Sequence, residues 1–106
     1  MRSKTILVDV DDTLVRSFGS KRIPMSGMVT RIRELHEAGA TLYLWSSGGA
    51  EYCRETAQEL GISECFVAFL PKPELLIDDV SPSEWKQLRW FHPNEATSAT
   101  VEELLQ

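Results

Sequence analysis

The sequence predicts a single α/β domain built around a mainly parallel sheet. Short, unbroken apolar runs alternate along the chain with stretches in which apolar residues recur at helical spacing. The chain has 106 residues, which is enough for one hydrophobic core and too few for two. Its 42% hydrophobic and 25% charged residues exclude a disordered chain. We therefore assign residues 1–106 to one domain.

The first part of the chain predicts two strands with a helix between them. Thr5–Val8 is an apolar run typical of a strand that is buried on both faces. Residues 11–25 predict a loop or a small hairpin, and Ser26 is placed to cap the helix that follows. This helix ends at Gly39. Its apolar face comprises Met28, Ile32, Leu35 and Ala38. Thr41–Trp45 is the second strand.

The rest of the chain predicts shorter elements. A tight turn at Ser46–Gly49 leads into a second helix, which ends near Leu60 ahead of Gly61. Three short strands are expected to follow. They are Cys65–Leu70, Leu75–Ile77 and Gln87–Phe91. Thr100 with Glu103 resembles a capping box, which predicts a last short helix.

Charge and cysteine content narrow the classes of function. The net charge of −5 argues against a long basic surface, so nucleic acid is not indicated as a partner. No apolar run approaches the roughly 20 residues that span a bilayer, so no membrane association is expected. Cys53 and Cys65 fit neither a disulfide framework nor a zinc motif. We expect both thiols to lie in the core of a reduced, cytoplasmic protein.

Acidic residues follow two of the predicted strands. Asp9 and Asp11 are two residues apart in extended chain, so their side chains can converge at the carboxyl end of the first strand. Asp78 and Asp79 end the strand predicted at Leu75–Ile77. Either pair alone is also ordinary turn chemistry. Together they predict a site for Mg²⁺, because clustered carboxylates repel one another unless a hard cation neutralises them.

The turn at Ser46–Gly49 offers a small anion site. Hydroxyl groups and free backbone N–H groups at the start of a helix attract phosphate, although Ser and Gly also form ordinary caps and turns. Beside a cluster of metal-binding carboxylates, this turn points to a phosphorylated substrate.

Three segments resemble motifs of the haloacid dehalogenase (HAD) superfamily. Residues 6–14 resemble its first motif, three hydrophobic residues followed by Asp-x-Asp-x-Thr. Residues 42–46 resemble its second motif, a strand that ends in Ser or Thr. Residues 75–79 resemble its fourth motif in the form with paired aspartates. The resemblance implies a three-layer α/β/α sandwich of Rossmann-like topology and a Mg²⁺-dependent phosphatase.

The same resemblance implies a role for each motif residue. Asp9 would be the nucleophile that forms an aspartyl-phosphate, and Asp11 would be the general acid and base. Mg²⁺ would be held by Asp9, the backbone carbonyl of Asp11 and Asp78, with Asp79 behind; which of Asp78 and Asp79 binds directly is left open. The phosphoryl oxygens would be held by Ser46 and Ser47.

The third motif of the family is a lysine, and Lys72 is the candidate by its order in the chain. Its position raises two difficulties. An extended chain of six residues places Lys72 up to about 20 Å from Asp78, and the connection between the third and fourth strands is too short for a parallel crossover. Arg16, Arg54 and Lys86 are alternative cations, and a solvated loop charge is the alternative for Lys72 itself.

The intervals between the motifs leave no room for a cap domain. We therefore expect an open site, which suits a large phosphorylated substrate. A domain of this size buries only about 60–68% of its unfolded surface, which leaves room for a homodimer without requiring one.

Other functions and roles stay open. A receiver-like phospho-acceptor module and a non-catalytic protein that binds metal and phosphate are the alternatives to a phosphatase. Trp85, Trp90 and Phe91 are expected to pack in the core rather than to stack a base. His36 and His92 are expected to be structural, because metal-ligand spacing is absent.

Overall fold

The computed structural model of the protein describes residues 3–106 and has a parallel sheet at its centre. The strands are β1 (Thr5–Asp9), β2 (Val15–Phe18), β3 (Lys21–Pro24), β4 (Thr41–Ser46) and β5 (Phe66–Pro71). The helices are α1 (Ser26–Glu37), α2 (Ala50–Glu59), α3 (Pro93–Ser98) and α4 (Val101–Leu104). Single 3₁₀ turns lie at Ser63–Cys65 and Pro82–Glu84. The predicted α/β class and parallel sheet are confirmed.

The sheet has the order β1-β4-β5, and all of its strands are parallel. Asp9 lies opposite Trp45, and Ser46 lies opposite Pro71. The carboxyl ends of the three strands are therefore level with one another. Strands β2 and β3 form a separate antiparallel hairpin between β1 and α1, as the loop or hairpin prediction allowed.

The core lies on one face of this sheet. Leu42 and Leu44 of β4 are fully buried and belong to the same cluster as Ile32 of α1 and Ala57 of α2. Both helices cover this face, as right-handed crossovers in the order β1-β4-β5 require. On the opposite face, Leu7 is 47% exposed. The short helices α3 and α4 pack on α1.

The helix ends differ in detail from the sequence predictions. Ser26 is the first residue of α1 rather than its cap, and Met25 occupies the cap position without a side-chain hydrogen bond. Ala38 follows the last turn of α1 and is exposed, contrary to the prediction, and Gly39 at φ +93° ends the helix there. The capping box of Thr100 with Glu103 at the start of α4 is confirmed.

Two predicted strands are wrong. Residues 75–77 and 87–91 form no strand, and every residue from 70 to 90 is exposed. A neighbouring parallel strand needs a crossover of about a dozen residues, and only residues 72–74 lie between β5 and the apolar run at Leu75–Ile77. That run therefore cannot form a parallel strand beside β5. Trp85 and Trp90 also lie outside the core, contrary to the prediction, with Trp90 81% exposed.

Within residues 3–106, no helix is both long enough and apolar enough to cross a membrane.

Candidate functional site

The level ends of the three strands bring predicted site residues together. Asp9 ends β1, Ser46 ends β4, and Lys72 directly follows β5. The Nζ atom of Lys72 lies 3.8 Å from Oδ1 of Asp9. This edge of an open parallel sheet is where ligands bind in such folds.

The position of Lys72 removes both difficulties that the sequence raised. They depended on a strand at residues 75–77, which the structure does not form. Instead, the backbone N–H of Lys72 donates to the carbonyl oxygen of Ser46 at 2.8 Å, which holds Lys72 at the carboxyl edge of the sheet. Arg54, one of the alternative cations, pairs with Glu51 instead.

The turn after β4 is built around the side chain of Ser46. This residue is 1% exposed, and its Oγ accepts a hydrogen bond from the backbone N–H of Gly48 at 3.0 Å. The Ser46 hydroxyl acts as an acceptor in this bond, so its own hydrogen can be donated to another group. Ser47 is exposed in the same turn, directly ahead of α2. The N-terminus of this ten-residue helix adds a partial positive charge to the edge that carries Asp9.

Asp11 has a partner that the sequence analysis did not identify. The hydroxyl of Tyr52, in the first turn of α2, donates to Oδ1 of Asp11 at 2.7 Å. The guanidinium group of Arg22, on the hairpin, lies 5.0 Å from the centre of the Tyr52 ring. Arg22 also donates to Thr56 and pairs with Glu59, so the hairpin is tied to the side of α2. The sequence feature that could have indicated this contact is the position of Tyr52, three residues after Gly49.

Burial raises the pKa of Tyr52 above its ordinary value of 10.0, and the Asp11 carboxylate adds to this effect. The phenol is therefore protonated at neutral pH and acts as a hydrogen-bond donor to Asp11.

Gly48 leaves the room in which the Tyr52 ring lies. A Cβ atom at position 48 would lie 2.8 Å from Cδ2 of Tyr52, well inside van der Waals contact. The absence of a side chain at Gly48 thus allows the Tyr52 ring to lie at this position. The ring in turn positions the Asp11 side chain through the hydrogen bond from its hydroxyl.

Both cysteines are buried, as expected. Burial raises the pKa of the Cys53 thiol, and the negative charge of Asp9 raises it further. Cys53 Sγ donates to the carbonyl oxygen of Leu70 at 3.6 Å. A protonated, enclosed thiol is a packing group and a poor nucleophile.

The turn after β1 holds an unusual backbone conformation. Asp12 has φ +60°, in the left-handed region that favours glycine, and Asp is among the residues that tolerate it. The N–H groups of Leu14 and Asp12 donate to the carbonyls of Val10 and Val15, which closes the turn. This conformation sends the chain back into β2 immediately after Asp11.

The second pair of aspartates does not join this group. Asp78 and Asp79 are exposed, and Oδ1 of Asp78 accepts a hydrogen bond from the N–H of Val80, a local turn contact. Within residues 3–106, no three His, Cys, Asp or Glu side chains lie close enough to hold a metal ion. Of the predicted Mg²⁺ site, one chain therefore supplies Asp9 and Asp11 without Asp78 or Asp79, which leaves the predicted ligand set incomplete.

His36, His92 and Phe91 do not contribute to the candidate site. Nδ1 of His92 accepts from the N–H of Asn94 and so caps α3. His36 is exposed in the last turn of α1, and Phe91 lies 5.0 Å from the Arg89 guanidinium.

Comparisons with family models, with curated proteins and with solved structures find no match to this chain. The resemblance to the HAD superfamily therefore rests on the motif residues and on their placement at one edge of the sheet.

Proposed function

We propose that the protein is a capless, HAD-type phosphate-monoester hydrolase with Mg²⁺ as its cofactor and the Rossmann-like three-layer fold of that superfamily. The observation that carries the proposal is the pair formed by Asp9 and Lys72, 3.8 Å apart at the edge of the sheet where Ser46 ends the neighbouring strand. An anionic nucleophile, a cation and a hydroxyl donor on one strand edge suit attack on a phosphate group.

In the proposed reaction, a carboxylate oxygen of Asp9 attacks phosphorus and the bond from phosphorus to the ester oxygen breaks. Asp11 donates its proton to the departing alcohol. Asp11 then takes a proton from water, which attacks the aspartyl-phosphate, releases inorganic phosphate and restores Asp9. Because Tyr52 occupies Oδ1 of Asp11, the second carboxyl oxygen is left for these proton transfers.

The groups around Asp9 include a positive charge and hydrogen-bond donors, which stabilise a phosphoryl group. The Lys72 ammonium group offsets negative charge and holds the Asp9 carboxylate in place. In this proposal, Ser46, Ser47 and the start of α2 would donate to the phosphoryl oxygens, and their position at the end of β4 supports that role. In the family, Mg²⁺ reduces the repulsion between carboxylate and phosphate; no step here depends on it, because one chain lacks the full ligand set.

The chain segments around the site favour a large substrate. Only the hairpin and short turns lie between the site strands and their helices within residues 3–106. We therefore propose a phosphorylated macromolecule in the cytoplasm as the substrate, with Arg16 and Lys21 of the exposed hairpin facing it.

Hydrolysis of p-nitrophenyl phosphate in the presence of Mg²⁺ tests the proposal. Asp9→Asn should lower turnover by at least about a thousandfold, as removal of a nucleophile does. Asp12→Asn is the matched control, since Asn also tolerates positive φ and residue 12 has no role in the reaction. Absence of turnover by the unmodified protein on a panel of phosphate esters would end the enzyme proposal.

A second candidate is a non-catalytic protein that binds phosphate, and metal only weakly, at the same edge. A single chain brings fewer residues to this edge than the catalytic ion needs, which disfavours turnover. This candidate predicts that Mg²⁺ and phosphate raise the melting temperature while no ester is hydrolysed. A receiver-like module would instead hold a stable phospho-aspartate after treatment with acetyl phosphate, and no aspartate lies on β5 to accept it.

A further inference from the structure

Arg22 fastens the hairpin of β2 and β3 to the side of α2. In the hairpin it lies opposite Ser17, and its guanidinium group contacts three side chains of α2. It donates to Oγ1 of Thr56 at 2.8 Å, pairs with Glu59 at 3.0 Å and lies over the ring of Tyr52, 5.0 Å from the ring centre. These three residues follow one another at helical spacing, so Arg22 lies along a single face of α2.

Tyr52 connects this contact to the candidate site. Its hydroxyl donates to Oδ1 of Asp11, and the close approach of its ring to Gly48 limits the movement of the ring on that side. The Oγ1 atom of Thr56 accepts from Arg22 and donates to the carbonyl oxygen of Tyr52 at 2.8 Å. Arg22 therefore contacts the ring of Tyr52 directly and its backbone through the buried Thr56 hydroxyl.

The hairpin is also joined to Asp11 through the backbone. Asp11 forms an isolated bridge with Val15, the first residue of β2, and Asp12 at φ +60° turns the chain between them. The position of the hairpin therefore affects Asp11 by two routes. One is the short turn into β2, and the other is the contact of Arg22 with Tyr52.

We propose that Arg22 is a positioning residue for Asp11 and that it acts through Tyr52. While the hairpin lies against α2, the Tyr52 hydroxyl holds one oxygen of the Asp11 carboxyl group, so the other oxygen keeps one position for proton transfer. Without Arg22, the Tyr52 ring loses the group that covers it, and the Asp11 carboxyl group rotates more freely. This role rests on the proposed function, in which Asp11 protonates the departing alcohol.

Arg22 is separate from the hairpin residues that we expect to face the substrate. Paired residues of an antiparallel hairpin share a face, and successive residues alternate between its two faces. Arg22 and Ser17 are therefore on the face that meets α2, whereas Arg16 and Lys21 are on the opposite face. Loss of Arg22 removes no side chain from the face assigned to the substrate, so its effect on catalysis comes through Tyr52.

The basicity of the leaving group distinguishes a positioning role from a purely structural one. Phenolate is a stronger base than p-nitrophenolate, so its departure depends more on the general acid, which contributes about 10²–10⁴-fold where it is needed. A displaced Asp11 therefore slows hydrolysis of phenyl phosphate more than that of p-nitrophenyl phosphate, whereas a general loosening of the fold slows both equally. The parameter to compare is kcat/KM, because it covers the steps up to the aspartyl-phosphate and not its later hydrolysis.

The experiment measures kcat/KM of the full chain for both esters in the presence of Mg²⁺. Arg22→Met should lower it about tenfold for phenyl phosphate and less than about twofold for p-nitrophenyl phosphate. Tyr52→Phe should show the same selectivity, and the double variant should lose no more than Tyr52→Phe alone, because Arg22 acts through that hydroxyl. Arg33→Met is the matched control. It removes an arginine that donates to the carbonyls of Leu60 and Gly61 at the end of α2, and it should leave the ratio of the two esters unchanged.

The outcomes separate this role from the proposed function. Equal losses for the two esters, or a double variant whose loss is the product of the single losses, would overturn the role of Arg22 and leave the phosphatase in place. No hydrolysis of either ester by the unmodified chain would overturn both. Should circular dichroism show that Arg22→Met is unfolded, Arg22→Lys repeats the comparison with the same expected direction, because one ammonium group cannot span Thr56 and Glu59 as the two guanidinium nitrogens do.

Discussion

Removal of the Tyr52 hydroxyl is a precise test of how the site is held together. The hydroxyl donates to Oδ1 of Asp11 at 2.7 Å, while the ring lies under the Arg22 guanidinium. Tyr52→Phe removes the hydrogen bond and keeps the ring, so the contact with Arg22 remains. The change removes the hydrogen bond between α2 and the turn after β1, and its dependence on Asp11 separates that bond from any effect on Arg22.

The size of the effect follows from the setting of this bond. A buried hydrogen bond to a charged group contributes about 1.5–3 kcal/mol to stability. This one is open to water, which competes for both partners, so we expect Tyr52→Phe to lower the free energy of unfolding by about 0.5–1 kcal/mol. The loss should depend on Asp11, because the partner of the hydroxyl is that carboxylate.

The free energy of the interaction between Tyr52 and Asp11 is measured by urea unfolding of four proteins. They are the unmodified chain, Tyr52→Phe, Asp11→Ala and the double variant. We expect the two changes to be non-additive, with a coupling free energy of about 0.5–1 kcal/mol. Additivity within about 0.3 kcal/mol would refute the reasoning, since it would mean that the bond contributes nothing.

The same variant should also differ in its response to alkaline pH. The pKa of Tyr52 is raised in the folded protein by burial and by the Asp11 carboxylate. The stabilisation linked to this shift is complete below pH 10 and is lost as the pH rises through the raised pKa. The difference in stability between the unmodified chain and Tyr52→Phe should therefore shrink above pH 10, as melting temperatures across that range would show.

Three further predictions test other contacts. Lys72→Met should lower kcat/KM for p-nitrophenyl phosphate by about a hundredfold, and Lys72→Arg by less, because the charge beside Asp9 is kept. Asp12→Val should lower the free energy of unfolding in urea by about 1–2 kcal/mol, and Asp12→Gly should not, because φ is +60°. Arg31→Met should speed hydrogen exchange in α3, since its guanidinium donates to three carbonyls between Ala96 and Ala99.

The sequence was sufficient for the three strands of the parallel sheet and for the meeting of Asp9 and Ser46 at one edge of it. Apolar runs that end in Asp9 and Ser46 are separated by one helix each, and right-handed crossovers leave few arrangements for such a pattern. The carboxyl ends of parallel strands must then meet, which is why a local pattern could place distant residues together.

Two features could not be predicted from local pattern. The contact of Tyr52 with Asp11 depends on the rotation of α2 about its axis, which Gly48 and Gly49 set through backbone angles that the sequence does not specify. The apolar run at residues 75–77 has the composition of a strand, but composition does not name the strand's neighbour. The short connection between β5 and residue 75 was the sequence feature that argued against a parallel strand there.

To bring Lys72 close to Asp9, the chain between Lys72 and Asp78 must follow a different path from the one that would bring Asp78 there. Lys72 pairs with Asp9 because the chain continues directly from β5 and is held there by Ser46. For Asp78 of the same chain to reach Asp9 along a parallel strand, residues 72–74 would have to leave this edge and run back beneath the sheet, which would carry Lys72 away. Along such a strand, a single chain can therefore give Asp9 its lysine or the predicted metal ligand Asp78, and the structure shows the lysine.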